Sequence, residues 1–238
     1  MAERVTDLLR GERELLANIS HELRTPLTRI RIALELVTEG DATLARESVD
    51  DIIEDLDELN RIIGDVLESA RLQLEQVPRA QGLPPLRIEH IVLDDLVSRA
   101  ASRFRTQYPT RRLDVSPIPE DVEIDGDPVQ LRRAVENLLS NAHKYTKDPK
   151  LPITITFEAD AERLRLRVID RGVGIAEDNQ KHLFSPFFRA NRSQSPAVGG
   201  LGLGLLLVRR IVEAHGGEIR LESKRGEGTV VLVELPRA

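Results

Sequence analysis

The spacing of apolar residues around His21 predicts that its imidazole is exposed and could act as a nucleophile. Residues 9–37 place an aliphatic side chain at every seventh position, and with Leu16 and Leu23 at successive a positions His21 falls at f, on the solvent face of a predicted helix. Glu22 could accept the imidazole proton or hold the ring in its reactive tautomer. Thr25, one turn on, could orient a water molecule. The segment predicts an exposed reactive imidazole, with an idle surface histidine as the alternative.

Two asparagines and a lysine share one edge of another predicted helix. Asn137 and Asn141 are one turn apart, and Lys144 follows three residues later on the same side. Two amide oxygens and a cation at this spacing suit Mg²⁺ and phosphate oxygens. An amphipathic helix with a polar edge explains the spacing equally well.

A short glycine-containing segment follows a predicted strand. Asp170 ends that strand, and Gly172 and Gly174 come directly after it. Glycines let a backbone approach a planar ligand closely, and the carboxylate could accept a hydrogen bond from an exocyclic amine such as adenine N6. A tight turn is the alternative interpretation.

A second glycine run is the strongest local signal. Gly200, Gly202 and Gly204 alternate with leucines, Leu203 and Leu205 among them, and lead straight into an amphipathic helix. A glycine loop that feeds a helix N-terminus forms an anion site from backbone N–H groups and the helix dipole. The spacing matches neither the P-loop nor the dinucleotide pattern, and a flexible hinge is the alternative.

Aromatic residues concentrate between these two glycine segments. Three of the five phenylalanines, Phe184, Phe187 and Phe188, fall within residues 183–189. They suggest an anchor for residues 189–198, which would form a mobile lid over a nucleotide.

The elements that must position these residues divide into two parts. Residues 1–77 show heptad stripes typical of two long helices, joined by a short turn at Gly40. A single helical hairpin exposes its apolar seam, so we expect an all-α hairpin that pairs with a second copy as a dimeric four-helix bundle. Residues 78–85 contain three prolines and form the predicted linker.

The remaining residues, 86–238, predict an α+β sandwich with one mixed sheet and helices on one face. The predicted strands are residues 86–92, 113–115, 122–124, 153–159, 164–170, 217–223 and 228–235, and the predicted helices are residues 94–108, 128–145, 177–182 and 203–215.

Composition excludes several classes of site. The 238 residues carry a net charge of −6, which does not favour nucleic-acid binding. The absence of cysteine excludes disulfides, a thiol nucleophile and a Cys-ligated zinc site. Residues 1–77 carry a net charge of −9 and the remainder +3, which supports a domain boundary. No apolar run approaches the roughly 18 residues of a membrane span.

Together, five segments in this order resemble the sensor histidine kinases of two-component signalling. The resemblance covers nearly the whole chain: a dimerisation and phosphotransfer hairpin, then an ATP-binding domain of the gyrase–Hsp90–kinase–MutL type. The segments resemble the H box (residues 20–27), N box (136–146), G1 box (170–175), F box (183–189) and G2 box (200–205).

The resemblance implies ATP and Mg²⁺ as ligands, His21 as phospho-acceptor, and catalytic roles for Glu22 in autophosphorylation and Thr25 in dephosphorylation. It implies that Asn141 holds Mg²⁺ and that Asp170 contacts adenine. The implied nucleotide-binding residues come from the four later boxes: Asn137, Asn141, Lys144, Tyr145, Asp170, Gly172, Gly174, Arg189, Gly200, Gly202, Leu203, Gly204 and Leu205. It also implies that the partner is a response regulator. The chain would then be the cytoplasmic portion of an inner-membrane sensor whose membrane segment is absent from this chain.

One position separates this chain from related ATPases. They carry a water-activating glutamate four residues before the Mg²⁺-binding asparagine, where this chain has Asn137. Slow hydrolysis, with transfer to His21 instead, is therefore expected. An ATP-driven clamp and a scaffold without kinase activity are the alternative interpretations.

Overall fold

The computed structural model describes residues 23–24, 26–32, 34–35, 52, 56, 86–119, 122–185, 188, 190 and 202–238. The chain divides into two compact units, residues 1–82 with 199–201, and residues 83–198 with 202–238. Within the described ranges, no helix combines the length and the apolar character needed to cross a membrane.

The described residues of the first unit are all helical. Leu27, Ile32, Leu34 and Leu56 are each about half exposed, so aliphatic side chains of this unit face solvent in a single chain. Helix at these positions agrees with the predicted hairpin. The predicted turn at Gly40 and most of the heptad positions lie outside the described residues.

The second unit contains four helices and seven strands among its described residues. The helices are α1 (Leu93–Gln107), α2 (Pro128–Tyr145), α3 (Glu177–Gln180) and α4 (Gly204–Ala214). The strands are β1 (Glu89–Val92), β2 (Leu113–Val115), β3 (Glu123–Gly126), β4 (Ile153–Ala159), β5 (Arg163–Asp170), β6 (Glu218–Lys224) and β7 (Gly228–Pro236).

Five strands form a mixed sheet in the order β2-β4-β5-β7-β6. Only the β2–β4 pair is parallel, and the other three pairs are antiparallel. The prediction of one sheet was wrong, because β1 and β3 form a separate antiparallel pair. Each of these two strands has four residues; β1 runs directly into α1, and β3 is separated from α2 only by Asp127.

The core lies between one face of the five-stranded sheet and the helices. Alternate residues of β4, β5 and β7 are buried, as period-two strands on a half-covered sheet require. The fully buried side chains include Ile153, Ile155 and Leu164 from the sheet, and Leu139 and Ile211 from the helices. The predicted α+β sandwich is therefore confirmed.

The start of α2 is fixed by a cap that also reaches α4. Asp127 precedes the helix, and its Oδ1 accepts the N–H groups of Val129 and Gln130, both at 3.0 Å. The backbone N–H of Asp127 donates to His215 Nε2 at 2.9 Å, at the end of α4. Burial raises the pKa of Asp127, but the N–H groups of Gln130, Arg87 and Val129 outweigh it and leave the pKa lowered.

The β1–β3 pair carries an exposed histidine between two carboxylates. His90 lies 2.8 Å from Glu123 through Nε2 and 3.0 Å from Asp125 through Nδ1. Hydrogen bonds to Asp125 and then Glu123 raise the pKa of His90. The imidazolium contacts therefore stabilise this pair fully below the ordinary pKa of 6.5, and the contribution is lost as the pH rises through the raised value.

An NMR titration of the His90 ring should give a pKa above 6.5. In a chain carrying Glu123→Gln and Asp125→Asn, the pKa should return toward that ordinary value, because neither amide holds a negative charge. An unshifted pKa of His90 in the parent chain would contradict its hydrogen bonds to Glu123 and Asp125.

Candidate functional site

The structure brings the asparagines of α2 together with the start of α4. A Cβ atom placed on Gly204 would lie 3.3 Å from Asn137 Oδ1 and 3.6 Å from Asn141 Nδ2. Asn137 Nδ2 donates to the Arg133 carbonyl oxygen at 3.0 Å, which fixes the orientation of that amide. Two segments separated by more than 60 residues therefore lie next to each other.

A positive φ explains why glycine precedes α4. Gly202 has a φ of 72°, in the left-handed region that side-chain-bearing residues avoid. The buried side chain of Leu203 follows, and α4 begins at Gly204. Leu205 is half-buried and packs against the core. The first backbone N–H groups of α4 consequently lie beside the asparagine pair, where a helix N-terminus favours an anion.

The carboxylate of Asp170 is buried at the end of β5. Its Oδ1 accepts the backbone N–H of Gly172 at 2.8 Å. Burial raises the pKa of Asp170, and hydrogen bonds from the N–H groups of Gly172 and Thr229 oppose the rise. A buried carboxylate held in place by backbone donors can recognise an amine of a ligand.

The loop after β5 is joined to the end of α2. The Val173 N–H donates to the Tyr145 carbonyl at 3.1 Å. A Cβ atom on Gly172 would lie only 2.3 Å from that same carbonyl oxygen, so no side chain fits there. Lys144 is half-buried and Tyr145 is 37% exposed on this last turn. Tyr145 therefore lies beside the Asp170 loop, with part of its surface exposed.

The turn between β6 and β7 supports the Asp170 loop from its other side. Gly174 has a φ of 60°, and a Cβ atom there would lie 2.0 Å from the Lys224 carbonyl oxygen. The Gly226 N–H donates to the Val173 carbonyl at 2.8 Å. Ser223 Oγ accepts the Ile175 N–H at 2.9 Å. These contacts connect the Asp170 loop to the β6–β7 hairpin.

Sequence reasoning missed two residues of this region. Thr229 is buried directly opposite Asp170 in the β5–β7 register, and Ser223 Oγ lies 2.9 Å from Thr229 Oγ1. The only signal in the sequence is the Gly-Glu-Gly-Thr run of residues 226–229, which reads as an ordinary hairpin turn.

Part of the aromatic anchor is described. The guanidinium of Arg209 on α4 lies 5.6 Å from the centroid of the Phe184 ring. The Phe188 ring lies 5.5 Å from that of His182, and Leu183 is buried. Residues 183–185 are thereby joined to the helix that begins at the asparagine pair.

Five of the predicted site residues lie outside the described residues: His21, Glu22, Thr25, Arg189 and Gly200. Among the others, the structure places Asn137 and Asn141 next to Gly204, and Gly172 in contact with both Asp170 and Tyr145.

The asparagine pair could form a Mg²⁺ site in which the phosphates of a bound substrate supply further metal ligands. Within the described part of the chain, no group of three His, Cys, Asp or Glu side chains could hold a metal ion by itself. Magnesium keeps several waters and is commonly bound through few protein oxygens together with substrate phosphates. An amide oxygen of Asn141 next to an anion-favouring helix N-terminus fits this arrangement.

Two family models match the chain, one over each predicted part. The His Kinase A (phospho-acceptor) domain matches residues 12–75. The histidine kinase-, DNA gyrase B- and HSP90-like ATPase family matches residues 126–238.

Curated relatives match over almost the full chain. The sensor-like histidine kinase SenX3 of Mycolicibacterium smegmatis is 32% identical over 94% of this chain and 57% of its own length. The sensor protein kinase WalK of Staphylococcus saprophyticus is 30% identical over 95% of this chain and 37% of its own length. The chain therefore spans between about a third and just over half of these relatives.

Solved structures agree with both matches. Histidine kinase ThkA in complex with the response regulator protein TrrA aligns with all of this chain and 64% of its own, with a TM-score of 0.64 and 26% identity. Full-length ShkA in complex with AMPPNP aligns with 94% of this chain and 46% of its own, with a TM-score of 0.62 and 26% identity.

Proposed function

The chain belongs to the sensor histidine kinases of two-component signalling, and we propose that it transfers the γ-phosphoryl group of ATP to His21 and then to an aspartate of a response regulator. The observation that carries this proposal is the meeting of Asn137 and Asn141 with the start of α4, beside a loop that holds the Asp170 carboxylate. The relative ShkA was solved with AMPPNP, and ThkA with a response regulator.

In the proposed reaction an imidazole nitrogen of His21 attacks the γ-phosphorus. A P–N bond forms, and the P–O bond to the β-phosphate breaks with its electron pair leaving on ADP. Glu22 accepts the proton of the imidazole or holds the ring in its reactive tautomer. In the second step the P–N bond breaks and an aspartate oxygen of the partner receives the phosphoryl group.

The other residues bind and orient the substrate. Asp170 accepts a hydrogen bond from the adenine amine, and Tyr145 packs beside the same loop. Asn141 would hold Mg²⁺, which supplies charge neutralisation at the phosphates when bound. Lys144 and Arg189 contact phosphate oxygens. Because Asn137 has an amide where related ATPases carry a base, water is not activated and the phosphoryl group is preserved for transfer.

A homodimer is part of the proposal. The exposed aliphatic side chains of the first unit, including Leu27, Leu34 and Leu56, would cost free energy in contact with water. A second copy of the hairpin buries them in a four-helix bundle.

The test of this function is a labelling experiment followed by a chase. With Mg²⁺ and γ-labelled ATP, the protein should gain a label that is lost in acid and stable in base, as expected for a P–N bond. Addition of a receiver domain from the partner regulator should then move the label to that domain. A label that survives acid, or free phosphate released continuously without labelled protein, would indicate the ATPase alternative.

Phosphatase activity toward the phosphorylated partner is a further part of the proposal. On the helix predicted from the sequence, Thr25 would be one turn from His21, about 6 Å along the axis, where its hydroxyl could align a water with the acyl phosphate. The Thr25→Ala variant should keep most autophosphorylation and lose most dephosphorylation of the partner. Equal loss of both activities would instead indicate that Thr25 only shapes the helix next to Pro26, through a bond from its hydroxyl to the backbone.

A further inference from the structure

Arg111 is a buried cation behind the nucleotide site. It lies between α1 and β2 and is only 6% exposed. Its Nη2 donates to the Thr146 carbonyl at 2.5 Å, and its Nη1 donates to the carbonyls of Asp148 and Leu151 at 2.5 and 3.1 Å. The guanidinium therefore donates hydrogen bonds to three carbonyl groups in the connection between α2 and β4.

The fourth contact of Arg111 reaches α2 itself. Arg111 Nε donates to His143 Nδ1 at 3.2 Å. The His143 ring stacks on Tyr108, with centroids 3.8 Å apart and planes at 24°, and meets the edge of Phe104 at 6.1 Å. Because Arg111 Nε can only donate, His143 Nδ1 is the acceptor of this hydrogen bond.

The position of His143 on α2 shows what this contact supports. Successive residues of an α-helix are rotated by about 100°. His143 is thus about 200° from both Asn141 and Tyr145, on the face opposite the nucleotide site. Arg111 therefore contacts the side of α2 that faces away from the asparagines. Gly204 and the Val173 N–H contact the side that carries Asn141 and Tyr145.

We propose that Arg111 and His143 are positioning residues for the Mg²⁺ and phosphate part of the site, acting through the last turn of α2; this inference rests on the proposed function. The adenine-binding loop also contacts Tyr145 at the end of α2, but it has additional support from Ser223 and the β6–β7 turn. The turn of α2 that carries Asn141 is supported on its opposite side by the contacts of Arg111 with His143 and Thr146. Loss of the pair should therefore weaken Mg²⁺-dependent binding more than adenine recognition.

The test compares nucleotide affinity in Mg²⁺ with affinity in EDTA, by calorimetry on the complete chain. His143→Leu keeps apolar packing on Tyr108 but removes the acceptor, leaving Arg111 Nε without its partner. We expect its affinity for ATP in Mg²⁺ to fall about 10-fold, with the affinity in EDTA nearly unchanged. His143→Asn places an amide oxygen close to the position of Nδ1 and should restore the Mg²⁺-dependent affinity.

Arg111→Met should reproduce the loss seen in His143→Leu, and Arg112→Met is its matched control. Arg112 is the next residue, is 71% exposed and pairs with Asp114, so its loss should leave both affinities unchanged. Thermal unfolding without nucleotide identifies variants that fail to fold.

Several outcomes overturn the inference. A folded His143→Leu chain with parent affinity in Mg²⁺ would refute it, as would equal losses in Mg²⁺ and EDTA. If His143→Leu does not fold, the pair is structural and the inference is wrong. If the parent chain binds no ATP at all, the proposed function has failed instead, and the two failures are distinguished by that first measurement.

Discussion

Replacing Asp170 with asparagine is expected to weaken ATP binding by about 100-fold. The carboxylate is buried and accepts N–H groups from Gly172 and Thr229, which leaves it oriented toward a ligand. An amide in its place presents an N–H₂ group to backbone donors or to the adenine amine, so a buried donor is left unpaired. Losing a hydrogen bond to a charged group costs about 1.5–3 kcal/mol, and 2.7 kcal/mol corresponds to about 100-fold in affinity.

Calorimetry with ATP or ADP measures this effect, and Asp178→Asn is the control. Asp178 is an exposed acid in the first turn of α3, so the same change of charge there should leave affinity unaltered. Parent-like affinity in a folded Asp170→Asn chain would place adenine elsewhere. Because burial raises the pKa of Asp170, ATP affinity should begin to fall at a less acidic pH than an ordinary aspartate would give.

Local signals predicted the elements of the second unit well. Helix α2 begins at Pro128 and ends at Tyr145, as expected, because its apolar periodicity, the preceding Asp127 cap and the proline at its first position all act within a few residues. Strand β4 also has the predicted bounds. The sequence assigned the asparagines and Gly204 to one nucleotide site, and their proximity in the structure is compatible with that prediction.

Features that depend on pairing across the chain were not predictable from the sequence in the same way. The separate β1–β3 sheet joins strands about 30 residues apart, and no local pattern specifies which sheet such a strand enters. Thr229 belongs to the site only because the β5–β7 register sets it opposite Asp170. Arg111 belongs to an Arg-Arg pair before a strand, a pattern that is typical of the surface. Its buried guanidinium is instead hydrogen-bonded to carbonyl groups 35 and 37 residues further along the chain.

The second large effect concerns His21. The His21→Gln variant should lose all transfer of the γ-phosphoryl group to the protein, because an amide nitrogen is a poor nucleophile and cannot replace the imidazole. Its affinity for Mg·ATP should match that of the parent chain, since the residues proposed to bind the nucleotide belong to the second unit, from Asn137 onward. Asp170→Asn should show the opposite pattern, with His21 intact and little ATP bound.

Locating the phosphoryl group is the most direct test of the central claim. The parent chain is incubated with Mg²⁺ and γ-labelled ATP, digested at neutral or basic pH, and the labelled peptide is sequenced by mass spectrometry, with His21→Gln treated in parallel. The account predicts one acid-labile phosphoryl group on His21 and no label on the variant. Label on any other residue of the parent chain, or undiminished label on His21→Gln, would contradict it.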